Sequence, residues 1–362
     1  MLRVTFVMEQ HLGHQTYYQN LRRFIENEPR IKPTWIPVTY EEPGGVIEKI
    51  PLLPRHARGL LRGVQQVRGG LRQVPADLLF FNTQVPAALA GRLVNSKSNY
   101  VIATDLTPIQ YDNMGAQYGH KPDKPGPLKA YKKRVNQALF RGAARVLPWS
   151  SWTRESLIND YGVNPARIEV IPPGVDLAAW RPDRSRSDEP MRILFVGGDF
   201  ERKGGPLVVR AFKALPQGMA ELHLVTRSQL PQTPGVTVYN NLVPNSPELI
   251  ALYQNCGVFV LPTEAEAFGI AAVEACAAGL PVVATLTGGL VDIVTDDETG
   301  YFISAGDEAA LIDRLQLLLK SPQLRYRLSA AARARAETRF DARKNAQRLV
   351  DCLFSVAGSE SF

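Results

Sequence analysis

Cysteine is scarce in this sequence and long apolar runs are missing, and each shortage removes a class of protein. Cys256, Cys276 and Cys352 are the only cysteines in 362 residues. They are too few and too widely spaced for a disulfide framework or a structural zinc, and they suit a reducing compartment. Cys256 and Cys276 lie among apolar neighbours and read as small buried hydrophobes. No stretch approaches the ~20 apolar residues of a spanning helix. The opening MLRVTFVMEQ holds an apolar run too short for a secretory signal, closed by Glu9. No recognisable nucleic-acid module, internal repeat or low-complexity tract occurs, so nucleic acid is not an expected partner. A cytoplasmic protein is expected, with at most peripheral contact at the inner face of a membrane.

What is present is globular. Hydrophobic residues make up 45% and charged residues 21%, and the length allows two domains that each bury a core. The net charge of +7 is uneven: residues 1–180 carry 23 Lys and Arg against 14 Asp and Glu, the remainder 19 against 21. A basic N-terminal half suits an acidic acceptor or an anionic membrane. Within it, Lys49–Arg72 has six cations and no acid, with Leu60, Leu61, Val64, Val67 and Leu71 at helical spacing. This segment reads either as a basic amphipathic helix against anionic lipid or as a domain helix with a solvated face.

The chain is organised around residues 261–285, LPTEAEAFGIAAVEACAAGLPVVAT. A strand over Val258–Leu261 ends at Pro262, a loop carries Glu264 and Glu266, and an Ala-rich helix follows Phe268-Gly269. Gly279 and Pro281 end that helix, and a second strand begins at Val282. In such a parallel unit, ligands bind beyond the carboxyl ends of the strands. The backbone N–H groups around Phe268, Gly269 and Ile270 suit a phosphate. Glu266 and Glu274 would repel an anion but accept hydrogen bonds from vicinal hydroxyls. A nucleotide sugar has both features. Taken singly, each glutamate reads better as something plainer, Glu266 as a helix-dipole partner and Glu274 as a solvated helix position.

The whole string, Pro-Thr-x-x-Glu-x-Phe-Gly-x-x-x-x-Glu-Ala-x-Ala-x-Gly-x-Pro-Val-Val, resembles the donor-binding signature of family 4 of the retaining glycosyltransferases, with Glu266 and Glu274 as its two glutamates. The resemblance runs along most of the chain, most clearly over residues 191–302. A first strand, Leu2–Met8, leads into a loop over Glu9–Thr16 with His11, Gly13 and His14, but without a full Gly-x-Gly-x-x-Gly. The strand Tyr100–Thr104 ends at Thr104-Asp105, where the family has His-Asp against the donor sugar, so interest shifts to Asp105. Asp105 reads about equally as a sugar contact and as a cap of the following turn. A Gly/Pro-rich loop over Gly115–Pro127 holds His120 and is expected to bind acceptor or to close over the site. Ser151 or Thr153 is expected to cap the helix that follows.

The stiff Ile168–Asp176 segment, with Pro172-Pro173, matches the family's interdomain linker. Beyond the strand Met191–Gly197, the family's diphosphate-gripping Arg and Lys correspond to Gly198 and Lys203, and Arg202 is taken as the stand-in for the arginine. Backbone near Val243 corresponds to the base-contacting region, and Thr287-Gly288-Gly289 with Asp292 to the family's Gly-Gly loop.

The resemblance implies an α/β protein of GT-B fold, two Rossmann-like domains facing across a cleft. Residues 1–175 would bind the acceptor, with 343–362 packing back on them, and 176–342 would hold the donor. The implied enzyme is a retaining hexosyltransferase that moves a sugar from a nucleotide diphosphate sugar to an acceptor hydroxyl, in polysaccharide or glycolipid synthesis. No cofactor or metal is implied, and a UDP-sugar is the favoured donor. Glu266, Lys203, Arg202 and Asp105 are the expected catalytic residues. Gly198, Val243, Phe268, Gly269, Ile270 and Glu274 would line the donor, and Gly13, His14, Thr104 and His120 the acceptor side. The alternatives are a non-catalytic sugar-nucleotide-binding relative and an epimerase of the same fold. A phosphorylase would need a cofactor lysine that the sequence does not identify.

Overall fold

In the computed structural model the described residues are 1–11, 13–41, 45, 47, 54–97, 99–183 and 190–358. Lys49, the start of the basic segment, lies outside them. The chain divides into two compact units, Met1–Asp112 with Pro122–Pro172 and Arg343–Phe362, and Asn113–Lys121 with Pro173–Ala342.

The first unit contains β1 (Leu2–Glu9), α1 (Gly13–Ile25), β2 (Ile31–Val38), α2 (Arg55–Gln73), β3 (Leu78–Phe81), α3 (Gln84–Ala90), α4 (Arg92–Lys97), β4 (Asn99–Thr104), α5 (Pro108–Asn113), α6 (Pro127–Gly142), β5 (Arg145–Pro148) and α7 (Ser151–Asn159). Its five strands are ordered β2-β1-β3-β4-β5 and every pairing is parallel. Helices cover a parallel sheet on both faces, so its central strand is apolar without alternation: Leu78, Leu79, Phe80 and Phe81 of β3 are all buried. β2 is the edge strand, and it tolerates Pro33 and Pro37 because residues four apart point their N–H positions the same way, here toward the unpaired edge.

The second unit contains β6 (Met191–Val196), α8 (Gly205–Lys213), β7 (Ala220–Val225), β8 (Val236–Tyr239), α9 (Pro247–Gln254), β9 (Val258–Leu261), α10 (Ile270–Ala277), β10 (Val282–Thr285), β11 (Gly300–Ile303), α11 (Glu308–Lys320) and α12 (Pro322–Arg339). Its six parallel strands are ordered β11-β10-β9-β6-β7-β8. α10 is apolar on nearly every side and residues 272–277 are all buried, as suits a helix inside a domain core. The last helix, α13 (Ala342–Gly358), belongs to the first unit from Arg343 on. There it buries Leu349, Val350, Leu353 and Val356, and Asn345 donates to the Pro172 carbonyl at 3.0 Å.

Two sequence expectations are corrected. Gly13 and His14 stand in the first turn of α1, not in a loop extending to Thr16. The buried face of that helix begins with Thr16 and includes Asn20, polar residues that an apolar periodicity does not count. The cap of α7 is Ser150, whose Oγ accepts from the Thr153 N–H at 3.2 Å. Ser151 and Thr153 lie inside the helix.

Candidate functional site

In an open parallel sheet the crevice forms where strand order reverses. In the second unit that point lies between β6 and β9, since the chain winds from β6 to β7 and β8 on one side and returns to β9, β10 and β11 on the other. The loop after β6 carries Lys203 and the loop after β9 carries Glu266. Lys203 Nζ pairs with Glu266 Oε2 across the switch point. Both side chains are largely removed from solvent, 17% and 8% exposed, where a charge needs its partner.

Three loops interlock around this pair. Gly204 caps α8 at φ +80°, and a Cβ there would meet the Pro262 backbone and ring, so only glycine lets the two loops touch. Gly288, at φ +53°, lies against the Glu266 and Ala267 backbone, and the Gly289 N–H donates to Ala267 O at 3.1 Å. Asp292, at the end of this Gly-Gly turn, is buried, with Arg339 at 3.9 Å and its carbonyl accepting from Arg335 at 2.7 Å. Gly269 sits at φ +106° and α10 starts after it with no side-chain cap. Its first N–H groups are therefore the ones a helix leaves unpaired within itself.

Arg202 is engaged within the protein. Its Nη1 donates to Ala265 O at 2.8 Å, its Nε to Asp199 at 3.2 Å, and its guanidinium lies 4.4 Å from the centre of the Tyr118 ring. Its own carbonyl accepts from Glu264 N–H at 3.0 Å. Arg202 thus ties the loop after β6 to the loop that bears Glu266.

Glu274 is 4% exposed, and the Tyr253 hydroxyl donates to its Oε2 at 3.0 Å. Burial pushes the carboxyl up to about 7, against the lowering effect of that hydrogen bond. Val243 is 60% exposed in the loop after β8, and Gly198 is exposed just beyond β6. His120 is half-buried, its N–H donating to Gly115 O at 2.8 Å.

The first unit has a polar cluster of its own. Its switch point lies between β1 and β3, where Glu9 exchanges backbone hydrogen bonds with the Asn82 side chain and accepts from Thr83 Oγ1 at 2.6 Å. Beside it, His14 Nε2 is 3.3 Å from Asp105 Oδ2, and the imidazole packs 4.9 Å from the Trp149 ring. Burial lowers the His14 pKa, but Asp105, by charge and hydrogen bond, and Glu9 outweigh it, so the net shift is upward. Asp105 also accepts from the Leu106 N–H at 2.9 Å, which is the turn-capping role. Thr104 is fully buried, its hydroxyl shared between Gln84 and the Leu106 carbonyl.

The structure therefore brings Lys203, Arg202, Glu266 and the start of α10 together in one unit, and His14 with Asp105 in the other. Sequence reasoning missed Tyr253, Asp199 and Tyr118. Tyr253 lies on α9, whose apolar run is too short to announce a helix. Among the described residues no group of three or more His, Cys, Asp and Glu side chains is arranged to hold a metal ion, and no helix is long and apolar enough to cross a membrane.

Residues 21–179 match the family model described as Glycosyltransferase Family 4, and residues 234–335 the model described as Glycosyl transferases group 1. A D-inositol 3-phosphate glycosyltransferase of Frankia alni is 30% identical over 263 residues, 65% of this chain and 63% of that protein. One from Pseudarthrobacter chlorophenolicus is 27% identical over 318 residues, 81% of this chain and 74% of that protein. The match thus spans just under two thirds of the Frankia protein's length. Among solved structures, a sucrose-phosphate synthase from Thermosynechococcus elongatus superposes with a TM-score of 0.81 at 18% identity, over 99% of this chain and all of that one. Anabaena HepE, solved in complex with UDP-glucose, superposes with a TM-score of 0.72 at 16% identity, over 98% of this chain and all of that one. These likenesses establish the GT-B fold, with its two Rossmann-like parallel sheets.

Proposed function

The chain belongs to family 4 of the retaining glycosyltransferases, and on that premise we propose that it transfers a hexose from a nucleotide diphosphate sugar to an acceptor hydroxyl with retention at the anomeric carbon. The observation that carries this reading is the Lys203–Glu266 pair at the switch point beside the uncapped start of α10. When the bond from the anomeric carbon to the phosphate oxygen breaks, its electron pair leaves with the diphosphate. Lys203 and the N–H groups of Phe268, Gly269 and Ile270 stabilise that negative charge, the kind of electrostatic term that dominates such reactions. Glu266, held by Lys203, accepts hydrogen bonds from the sugar hydroxyls and orients the ring. Glu274 takes the ribose hydroxyls, and backbone near Val243 faces the base.

The acceptor hydroxyl attacks from the face the diphosphate leaves, and its proton passes to a donor phosphate oxygen. Charge stabilisation by protein groups alone leaves the reaction without need of a metal. Asp105 and His14 hydrogen-bond the acceptor, with Gly13 near it. UDP is the favoured nucleotide, supported by the UDP-glucose complex of the HepE neighbour. The basic N-terminal half and α2, with Leu60 and Leu61 half-exposed, further support peripheral contact with an anionic membrane.

The test is thermal stability of the purified protein with UDP, GDP, ADP and their sugars. A ligand at a hundred times its dissociation constant adds ~2.7 kcal/mol to the native state, so one nucleotide should raise the melting temperature clearly. Glu266→Gln should bind that nucleotide but turn over its sugar poorly. No stabilisation by any of the six would overturn the assignment.

A further inference from the structure

We propose that Arg227 supplies the guanidinium that grips the donor diphosphate, filling from β7 the place that Gly198 leaves bare; the proposal rests on the donor-site reading above. β6 and β7 pair in parallel with Val196 opposite Val225, and the Gly197 N–H donates to Val225 O at 2.9 Å. Continuing that register by two residues sets Gly198 opposite Arg227. The side-chain atoms agree: a Cβ built on Gly198 would lie 3.1 Å from Arg227 Nε, 3.3 Å from Nη2 and 3.4 Å from Cζ. The guanidinium therefore lies along the glycine backbone at the carboxyl edge of the sheet.

On the other side of the same strip, a Cβ on Gly197 would meet the Lys203 stem at 2.9 Å. Gly197-Gly198 is thus a side-chain-free floor walled by two cations that reach it from different elements. A diphosphate has oxygens enough for both, and a planar guanidinium can meet it with two parallel N–H donors.

The two arginines differ in what they already hold. Arg202 gives its donors to Asp199 and Ala265 O and lies over Tyr118. Arg227 is exposed and makes no hydrogen bond or ion pair among the described residues. A diphosphate would have to displace the partners of Arg202, whereas Arg227 has its full set of donors to offer. This assigns Arg202 to positioning the Glu266 loop and Arg227 to direct contact with the ligand.

The experiment is calorimetric titration of the whole protein with uridine, UMP and UDP, with GDP and ADP as probes should UDP be silent. Arg227→Ala should weaken the diphosphate about tenfold or more and leave the nucleoside unchanged, with the monophosphate between. Gly198→Arg placed in the Arg227→Ala protein should restore diphosphate affinity from the opposite strand, an outcome that a general structural role for Arg227 would not produce. Arg202→Ala should lower the melting temperature and weaken all three ligands alike. The inference is overturned if Arg227→Ala binds the diphosphate as the parent does, or loses nucleoside and diphosphate equally. If the parent binds no nucleotide, the donor-site reading falls and takes this one with it.

Discussion

At Glu274 the requirements of folding oppose those of the proposed ribose contact. Burial raises its carboxyl to about 7, so the folded chain holds the proton more tightly than the unfolded chain does. The sign follows from linkage: stability falls as pH rises from ~4.5 to ~7 and is level above that. At about 1.4 kcal/mol per pKa unit, the ionised form costs roughly 3 kcal/mol at pH 8. Glu274→Gln keeps the acceptor for Tyr253 and removes the titration. It should melt several degrees higher than the parent at pH 8 and no higher near pH 4, by calorimetry at both. If the ribose hydroxyls need the carboxylate, UDP affinity of the parent should rise about tenfold between pH 6 and pH 8, and that of the variant should be weaker and flat. The glutamates were legible in the sequence because their spacing is part of a long string. The hydrogen-bond partner of Glu274 was not, since Tyr253 reaches it only through packing of α9 against α10.

Loop-on-loop packing at the ends of β6, β9 and β10 sets the geometry of the second unit's site. Gly204→Ala puts a methyl group into the Pro262 backbone at φ +80°, and a strain of about 1–3 kcal/mol is expected. Gly218→Ala, at φ +79° with open space around it, should show the smaller backbone penalty alone, about 1 kcal/mol. Denaturant melts should therefore rank the two, and only the first should weaken UDP. The same scale shows why some elements escaped the sequence. β3 and β9 are unbroken apolar runs closed by polar or proline residues, and β1, though crossed by Arg3 and Thr5, keeps Val4 and Phe6-Val7-Met8, so all three are plain. β2 is interrupted by Pro33 and Pro37, which an edge strand permits and a period-two pattern hides. α1 opens with Gly-His-Gln-Thr, so its first turn carries no apolar mark, and the apolar pattern begins only at Tyr17.

Over the whole molecule the excess of cations lies in residues 1–180. α2 joins that charge to half-exposed Leu60 and Leu61, although Arg62 and Arg68 are turned to backbone carbonyls at Tyr40 and Leu89. α6 adds Lys129, Lys132, Lys133 and Arg134 around exposed Leu128 and Tyr131. Vesicles containing anionic lipid should therefore sediment the protein at low salt and release it as salt screens the charge. Leu60→Ser with Leu61→Ser should weaken that binding severalfold if apolar insertion contributes, and equal sedimentation of the parent with neutral and with anionic vesicles would exclude a role for charge. The second unit also has a consequence for how such a chain can change. The two ends of its Pro173–Ala342 stretch are fastened to each other: the Val175 N–H donates to Phe340 O at 2.9 Å, and the Ala342 N–H to Val175 O at 3.0 Å. A stretch that begins and ends at one doorway can be exchanged by recombination at two crossover points; on the proposed function the donor would change with it, while Asn113–Lys121, whose Tyr118 lies against Arg202, would stay behind and have to fit the newcomer.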